Sequence, residues 1–218
     1  CGWGGMAFEI AKQKKCEVTG ISLSKNQIKY CQEKAKELGL DNQVKFELID
    51  YREAKGHYDR IYSVGMFEHV GKKFYKIFFK TMNKLLKDDG LFLLHTIGVV
   101  DSPSSPPNKF INKYIFPGGT CPSFSQIISP IEKTGLIVSD TETLIRHYDK
   151  TLESWLERFL DKKREVKDLF DEKFVKMWEF YMASCAAAFR YRDLVVFQLQ
   201  IVKNFQSAHR TRDYIYKT

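Results

Sequence analysis

Residues 59–71 read Asp59-Arg60-Ile61-Tyr62-Ser63-Val64-Gly65-Met66-Phe67-Glu68-His69-Val70-Gly71. An apolar run closes on a glycine, then on a carboxylate and an imidazole. The run is short, rich in β-branched and aromatic residues and bounded by glycine. It reads as a strand over Tyr58 to Val64, uninterrupted enough to be buried on both faces. Polar groups just past the carboxyl end of such a strand stand where open α/β sheets bind ligands. One strand–helix–strand unit later, Phe92-Leu93-Leu94-His95-Thr96-Ile97-Gly98 repeats the arrangement with a lone histidine.

Outward from these strings the pattern alternates helix and strand. Helices are expected over Met6–Lys15, from Ser24 to Leu38 (with Gly39 as the stop), over Phe74–Leu86 and over Gln126–Lys133. Strands are expected over Glu17–Ile21, Val44–Ile49, Leu91–Leu94 and Leu136–Thr141, with Asp88-Asp89-Gly90 as a turn. The alternation means a mostly parallel sheet with helices on both faces. The Pro-rich segment 101–107 reads as a loop. Two amphipathic helices, Thr151–Val166 and Lys173–Phe189, precede a last strand, Leu194–Lys203, and would form a lid beside the sheet. This divides the chain into a core over 1–150, a helical lid over 151–193, and a closing strand with a basic, aromatic tail over 194–218.

The chain opens on Cys1-Gly2-Trp3-Gly4-Gly5. Glycines so placed let backbone approach a ligand and aim the next helix N-terminus at it. Such a loop follows a buried strand, and none precedes it here. The expectation is a fragment cut at the end of its first strand. The second strand ends Gly20-Ile21-Ser22-Leu23-Ser24, without the carboxylate that a dinucleotide site places there. Ser22 and Gln27 can still serve ribose hydroxyls. The third strand ends Ile49-Asp50-Tyr51, where the acid can accept from an adenine amino group or cap a turn, and the ring can stack.

The 218 residues suit one domain with a sizeable core. A net charge of +8 and a pI of about 9.1 favour anionic partners or simply solubility. Arginine is not clustered with exposed aromatics, so no nucleic-acid partner is expected. Cysteines at 1, 16, 31, 121 and 185 are odd in number and lack a Cys-x-x-Cys. That argues against a disulfide framework or a metal site, and for a reducing compartment.

Several strings together resemble the cyclopropane-fatty-acyl-phospholipid synthases. They are the opening glycine loop, Ser22 to Gln27, Ser63 to Gly71, Leu94 to Gly98, Ile111 to Gly119, His147-Tyr148-Asp149, and Cys185 to Asp193, in order over nearly the whole chain. The resemblance implies a Rossmann-like methyltransferase fold that uses S-adenosylmethionine. It implies methyl transfer to a cis double bond of a phospholipid acyl chain, proton loss and ring closure. By position, Gly2, Trp3 and Gly4 would line the cofactor. Ser22, Leu23 and Gln27 would hold its ribose side, with Asp50, Tyr51 and Ser63 around the adenosyl group. A bound bicarbonate ion is the base that the family implies. Glu68, His95 and Tyr148 match its side-chain ligands and Ile97 matches a backbone ligand. A further cysteine ligand falls upstream of the glycine loop. Cys185 matches a cysteine put forward as catalytic.

The chemistry suits these residue types. Attack of an alkene on a sulfonium methyl leaves a carbocation, which water would quench, so the pocket must be dry. Trp155, Phe159, Trp178, Phe180 and Tyr181 of the lid helices would wall it, though helical spacing serves core packing equally. Taken singly, Glu68 also reads as a carboxylate at a helix N-terminus, and His95 as a satisfied strand-end histidine. Unsaturated phospholipid would be met at the cytoplasmic face of the membrane by peripheral attachment. Lys162, Lys163, Arg164, Lys167, Lys173 and Lys176 are the candidate contacts. A homodimer is the oligomeric expectation. Two alternatives stay open: a related methyltransferase with another acceptor, and a lipid-binding relative without catalysis.

Overall fold

The computed structural model describes residues 1–100 and 108–216. The loop expected over 101–107 and the last two residues of the tail lie outside the described residues. The chain forms two compact units, Cys1–Gly56 and His57–Thr218.

The first unit contains α1 (Gly5–Lys14), β1 (Val18–Ser22), α2 (Lys25–Glu37) and β2 (Val44–Leu48). β1 and β2 pair in parallel, from Val18 opposite Val44 to Ser22 opposite Leu48. Ser24 starts α2 by accepting the Gln27 N–H at 3.3 Å, one of the donors a helix start leaves unmatched. Gly39, at φ +66°, terminates it. Ile28, Cys31 and Ala35 fall on one helical face and pack with Ala7, Phe8 and Ala11 of α1 against Val44 and Phe46. Gly4 lies at φ +80°, and a Cβ there would stand 2.8 Å from the Phe8 ring and 3.0 Å from the Cys31 sulfur. Any side chain would break both the turn and the packing.

The second unit contains β3 (Tyr58–Val64), α3 (Tyr75–Leu85), β4 (Leu86–Val99), α4 (Lys109–Tyr114), α5 (Phe124–Glu132), β5 (Ile137–Leu144), α6 (His147–Asp161), α7 (Lys163–Leu169), α8 (Glu172–Tyr191), β6 (Leu194–Val202) and α9 (Asp213–Tyr216). Its sheet runs β3-β4-β6-β5. β3 and β4 are parallel, whereas β6 runs antiparallel between β4 and β5. The protein is therefore α/β, with a two-stranded parallel sheet in the first unit and, in the second, a mixed sheet whose last strand is reversed; each parallel pair is joined through a helix. The helical segment α6–α8 stands before that last strand, as expected. Phe78 and Phe79 from α3 and Phe92 and Leu94 from β4 form a core with Leu199 and Ile201 of β6, all fully buried.

Three expectations are corrected. β3 is an edge strand of this sheet and only Ser63 is buried along it, so its apolar run did not mean burial on both faces. β4 begins at Leu86, not Leu91. The register steps from Tyr58 opposite Leu86 to Arg60 opposite Leu91, so the Asp88-Asp89-Gly90 turn is absorbed as a bulge. The helix expected over Thr151–Val166 begins at His147 and breaks at Lys162, whose N–H bonds the Phe159 carbonyl at 3.1 Å in a tightened last turn. In the tail, Arg212 Nε and the hydroxyl of Tyr214, within α9, donate to Asp140 Oδ2 at 2.9 and 2.6 Å.

α6 is clamped to α8 by charge. Asp149, in the first turn of α6, is buried and accepts Arg190 Nε at 2.9 Å, while Arg190 also bonds Glu153 one turn on. Arg190 holds the Asp149 carboxyl below the usual range. Removing one partner strands the other. Asp149→Ala is expected to lower Tm by several degrees, read by thermal melting, with Arg190→Ala giving a similar loss and the double variant little more.

Candidate active site

β3 leads through Gly65, at φ +64°, into a 3₁₀ turn, Phe67–His69. Phe67 anchors that turn. It is fully buried, stacked on Tyr75 at 4.3 Å and 5.1 Å from Phe78. The anchor drives the next side chain, Glu68, inward to 8% exposure. Glu68 Oε1 accepts the Ile97 N–H at 2.7 Å, and the Glu68 carbonyl accepts the Thr120 N–H at 2.9 Å. Glu68 Oε2 is buried without a hydrogen-bond partner among the described residues.

Burial pushes the Glu68 carboxyl above its ordinary range, against the opposing pull of the Ile97 N–H. A raised carboxyl stabilises the fold fully below its unfolded value and loses that contribution as pH climbs through the folded value. Glu68→Gln keeps an acceptor for Ile97 and removes the buried charge. Its melting advantage over the parent should therefore be larger at about pH 8 than at about pH 4.5, reaching on the order of 1–3 kcal/mol. Paired melts across that range check it.

His95 lies opposite Val64 on β4 and opposite Gln198 on β6. Its Nδ1 sits 3.0 Å from Gln198 Nε2, and burial lowers its pKa, so the ring is neutral at pH 7. With the Gln198 amide donating to Nδ1, the ring proton resides on Nε2, which makes that nitrogen a donor. Gln198 was not singled out from sequence. Only the antiparallel register of β6 brings it to a histidine 103 residues away.

Tyr148 is in the first turn of α6. Its ring lies 5.0 Å from Phe189 and 6.0 Å from Trp155. With Ile97 and Cys185 it packs on the cluster of Leu152, Ala186, Phe189 and Val196. Burial first, then the nearby Glu68 and Cys185 charges, raise the Tyr148 phenol. The structure thus gathers Glu68, Ile97, Tyr148 and Cys185, and sets His95 two residues from Ile97 on the same strand. The Ile97 N–H is taken by Glu68, so it orders the carboxylate and is not free for an ion. Burial pushes the Cys185 thiol up to about 11, which keeps it protonated and a poor nucleophile. Cys121, missed from sequence, lies near Glu68 and Cys185, and burial pushes it up to about 12.

The cofactor candidates fall mostly in the first unit. Gly2 and Gly4 take positive φ, and the Gly4 N–H bonds the Cys1 carbonyl at 3.1 Å, curling the loop. Trp3 and Leu23 are exposed, and Trp3 meets Tyr30 edge-on at 5.3 Å. Ser22 Oγ donates to Gln27 Oε1 at 2.8 Å and accepts the Ser24 N–H at 3.1 Å. Asp50 caps the turn Tyr51–Glu53 through the Arg52 N–H at 2.9 Å and holds the Arg52 guanidinium at 2.8 and 2.7 Å. Asp50 thus makes the capping contacts, which do not bear on whether it also faces a cofactor. Arg52 also lies over the Tyr51 ring. Ser63, in the second unit, is buried, and its hydroxyl has no hydrogen-bond partner among the described residues.

Residues 1–199 match the family described as mycolic acid cyclopropane synthetase. The chain belongs to the mycolic acid cyclopropane synthetase family. Over 210 residues it is 40% identical to the cyclopropane-fatty-acyl-phospholipid synthase of Escherichia coli, covering 96% of this chain and 53% of that protein. The chain thus spans about half the length of the curated relatives it matches. Among solved structures, the cyclopropane synthase MmaA2 of Mycobacterium tuberculosis superposes with a TM-score of 0.86 at 30% identity, over 92% of this chain and 75% of that one. The mycolic acid cyclopropane synthase CmaA1, complexed with SAH and CTAB, gives 0.85 at 30% identity over the same shares. For the family member described here, no helix among the described residues is long and apolar enough to cross a membrane.

Proposed function

We propose that this family member is the catalytic part of an S-adenosylmethionine-dependent methyltransferase that acts on lipid and converts a cis double bond of a phospholipid acyl chain into a cyclopropane ring. The observation that carries the reading is the buried Glu68 carboxyl, with one oxygen committed to Ile97 and the other without a partner among the described residues. A buried orphan oxygen costs stability, and a ligand that pairs with it supplies the missing hydrogen bond.

The residues fit the two small molecules that the family implies. S-adenosylmethionine, when bound, supplies an electrophilic methyl group, and the Gly2–Gly4 curl with Ser22, Gln27, Asp50 and Tyr51 is the set that would hold it. Bicarbonate, when bound, supplies an oxygen base. Glu68 Oε2, in a carboxyl that burial pushes above its ordinary range, would share a proton with the ion. Nε2–H of His95 and the Tyr148 hydroxyl, raised and therefore protonated, are the other two donors. Three donors suit a small anion, whereas three carboxylates or thiolates would repel it. Ile97 acts one step back by fixing Glu68. Trp155, Phe159, Trp178 and Tyr181 exclude water from the carbocation that forms on the acyl chain. Peripheral attachment to the cytoplasmic face of the membrane, a homodimer and an unsaturated phospholipid substrate belong to this reading. Similarity to CmaA1, whose structure holds SAH and CTAB, supports the cofactor and a long-chain ligand.

The test is transfer of label from S-adenosyl-[methyl-14C]methionine to unsaturated phospholipid vesicles by the full-length protein. Label in the fatty acids supports the reading. Label that appears only in a small-molecule amine would replace it.

A further inference from the structure

α7 and α8 meet at a turn whose apex is Leu169-Phe170. Leu169 is 77% and Phe170 62% exposed. Single exposed apolar residues are ordinary, but this pair does not stand alone. Phe170 stacks on Phe174 at 4.2 Å with planes 14° apart, Phe174 on Trp178 at 5.6 Å, and Trp178 meets Tyr181 at 5.2 Å. A row of rings therefore runs from the exposed apex along α8. It ends at a cavity of about 440 Å³ lined by Trp155, Arg158, Phe159, Trp178, Tyr181 and Met182. Trp155 of that wall meets Tyr148 at 6.0 Å. The row thus connects the apex to the phenol beside Glu68.

The charges around the apex are sorted. Glu165 pairs with Lys162 at 2.7 Å, and Glu172 with Lys167 at 2.6 Å and Lys176 at 3.4 Å. Asp171 is committed to the cap of α8, accepting the Phe174 N–H at 2.6 Å. That leaves Arg164 before the apex and Lys173 after it, neither with an ion pair among the described residues, against the single carboxylate of Asp168. An apolar point between unpaired cations is complementary to a bilayer of anionic headgroups over hydrocarbon.

We propose that the α7–α8 turn is the membrane-docking element. Leu169 and Phe170 enter the bilayer, Arg164 and Lys173 meet lipid phosphates, and the ring row Phe174–Trp178–Tyr181 receives an acyl chain on its way to the cavity. The receiving role rests on the lipid methyltransferase reading above. The docking role does not.

The experiment measures binding alone, without methyl donor, so its result is independent of chemistry. Full-length protein and the Leu169→Ser/Phe170→Ser variant are sedimented with phosphatidylglycerol vesicles. Both side chains are mostly exposed, so Tm should fall by no more than the loss of the Phe170–Phe174 stack accounts for, a few degrees at most, and melting checks that the variant is folded. The variant is expected to bind about tenfold more weakly or worse. Arg164→Gln/Lys173→Gln should keep binding but lose most of the preference for phosphatidylglycerol over phosphatidylcholine. Unchanged binding by the Leu169/Phe170 variant overturns the proposal. Tip-dependent binding by a protein that transfers methyl to no lipid would uphold the docking turn and remove the functional reading.

Discussion

Glu68→Gln is expected to lower kcat for methyl transfer to lipid by about 10²- to 10⁴-fold, the usual span for losing a positioned proton-transfer group. The substitution is nearly isosteric and keeps the acceptor for the Ile97 N–H. It replaces the buried oxygen that has no partner among the described residues with an amide that has no acidic proton. S-adenosylmethionine affinity should be unchanged, because the glycine loop, Ser22 and Gln27 belong to another stretch of chain. Steady-state turnover beside equilibrium dialysis of the cofactor separates the two effects. A variant with full turnover would mean that Glu68 is only a structural carboxylate. Gln198→Leu should act through His95, lowering kcat less and moving the pH profile as the Nδ1 partner is lost.

Phe67→Ala is the second large effect. The side chain is fully buried between Tyr75 and Phe78, with Phe79 at 5.5 Å. Truncation should cost about 3–5 kcal/mol, from lost burial plus the cavity left among rigid rings. Phe67 also anchors the short turn that aims Glu68, so turnover should fall below what the folded fraction explains. Denaturant unfolding gives the first quantity. Activity per folded molecule at low temperature gives the second. Phe67→Leu, which refills most of the volume, should recover much of both.

What was legible in the chain is what local chemistry decides. Ser24 before α2, Gly39 after it and the glycine curl at Gly2–Gly4 each satisfy a backbone demand within a few residues. Glu68 and His95 were visible because an apolar strand ending in a polar group marks the ligand edge of an α/β sheet. Tyr148 carries no such mark, and only family resemblance singled it out. Its place depends on α6 starting just after Arg146, a non-glycine residue at φ +62°. The long-range pairs were not legible: Gln198 on His95, Arg190 on Asp149, and Cys121 near Glu68. Their partners are far apart in sequence, and register or helix packing alone decides them. The bulge at Asp88-Asp89-Gly90 shows the opposite failure. There the Asp-Asp-Gly composition predicted a turn, but the strand runs through it as a bulge.

The measurement that bears most directly on the account is mass spectrometry of phospholipid fatty acids after the full-length protein acts on unsaturated vesicles with S-adenosylmethionine. The account expects a gain of one CH2 with the double bond lost to a ring, and no such product from Glu68→Gln. Bound cofactor with unaltered fatty acids, or a methyl branch formed equally well by Glu68→Gln, would contradict it.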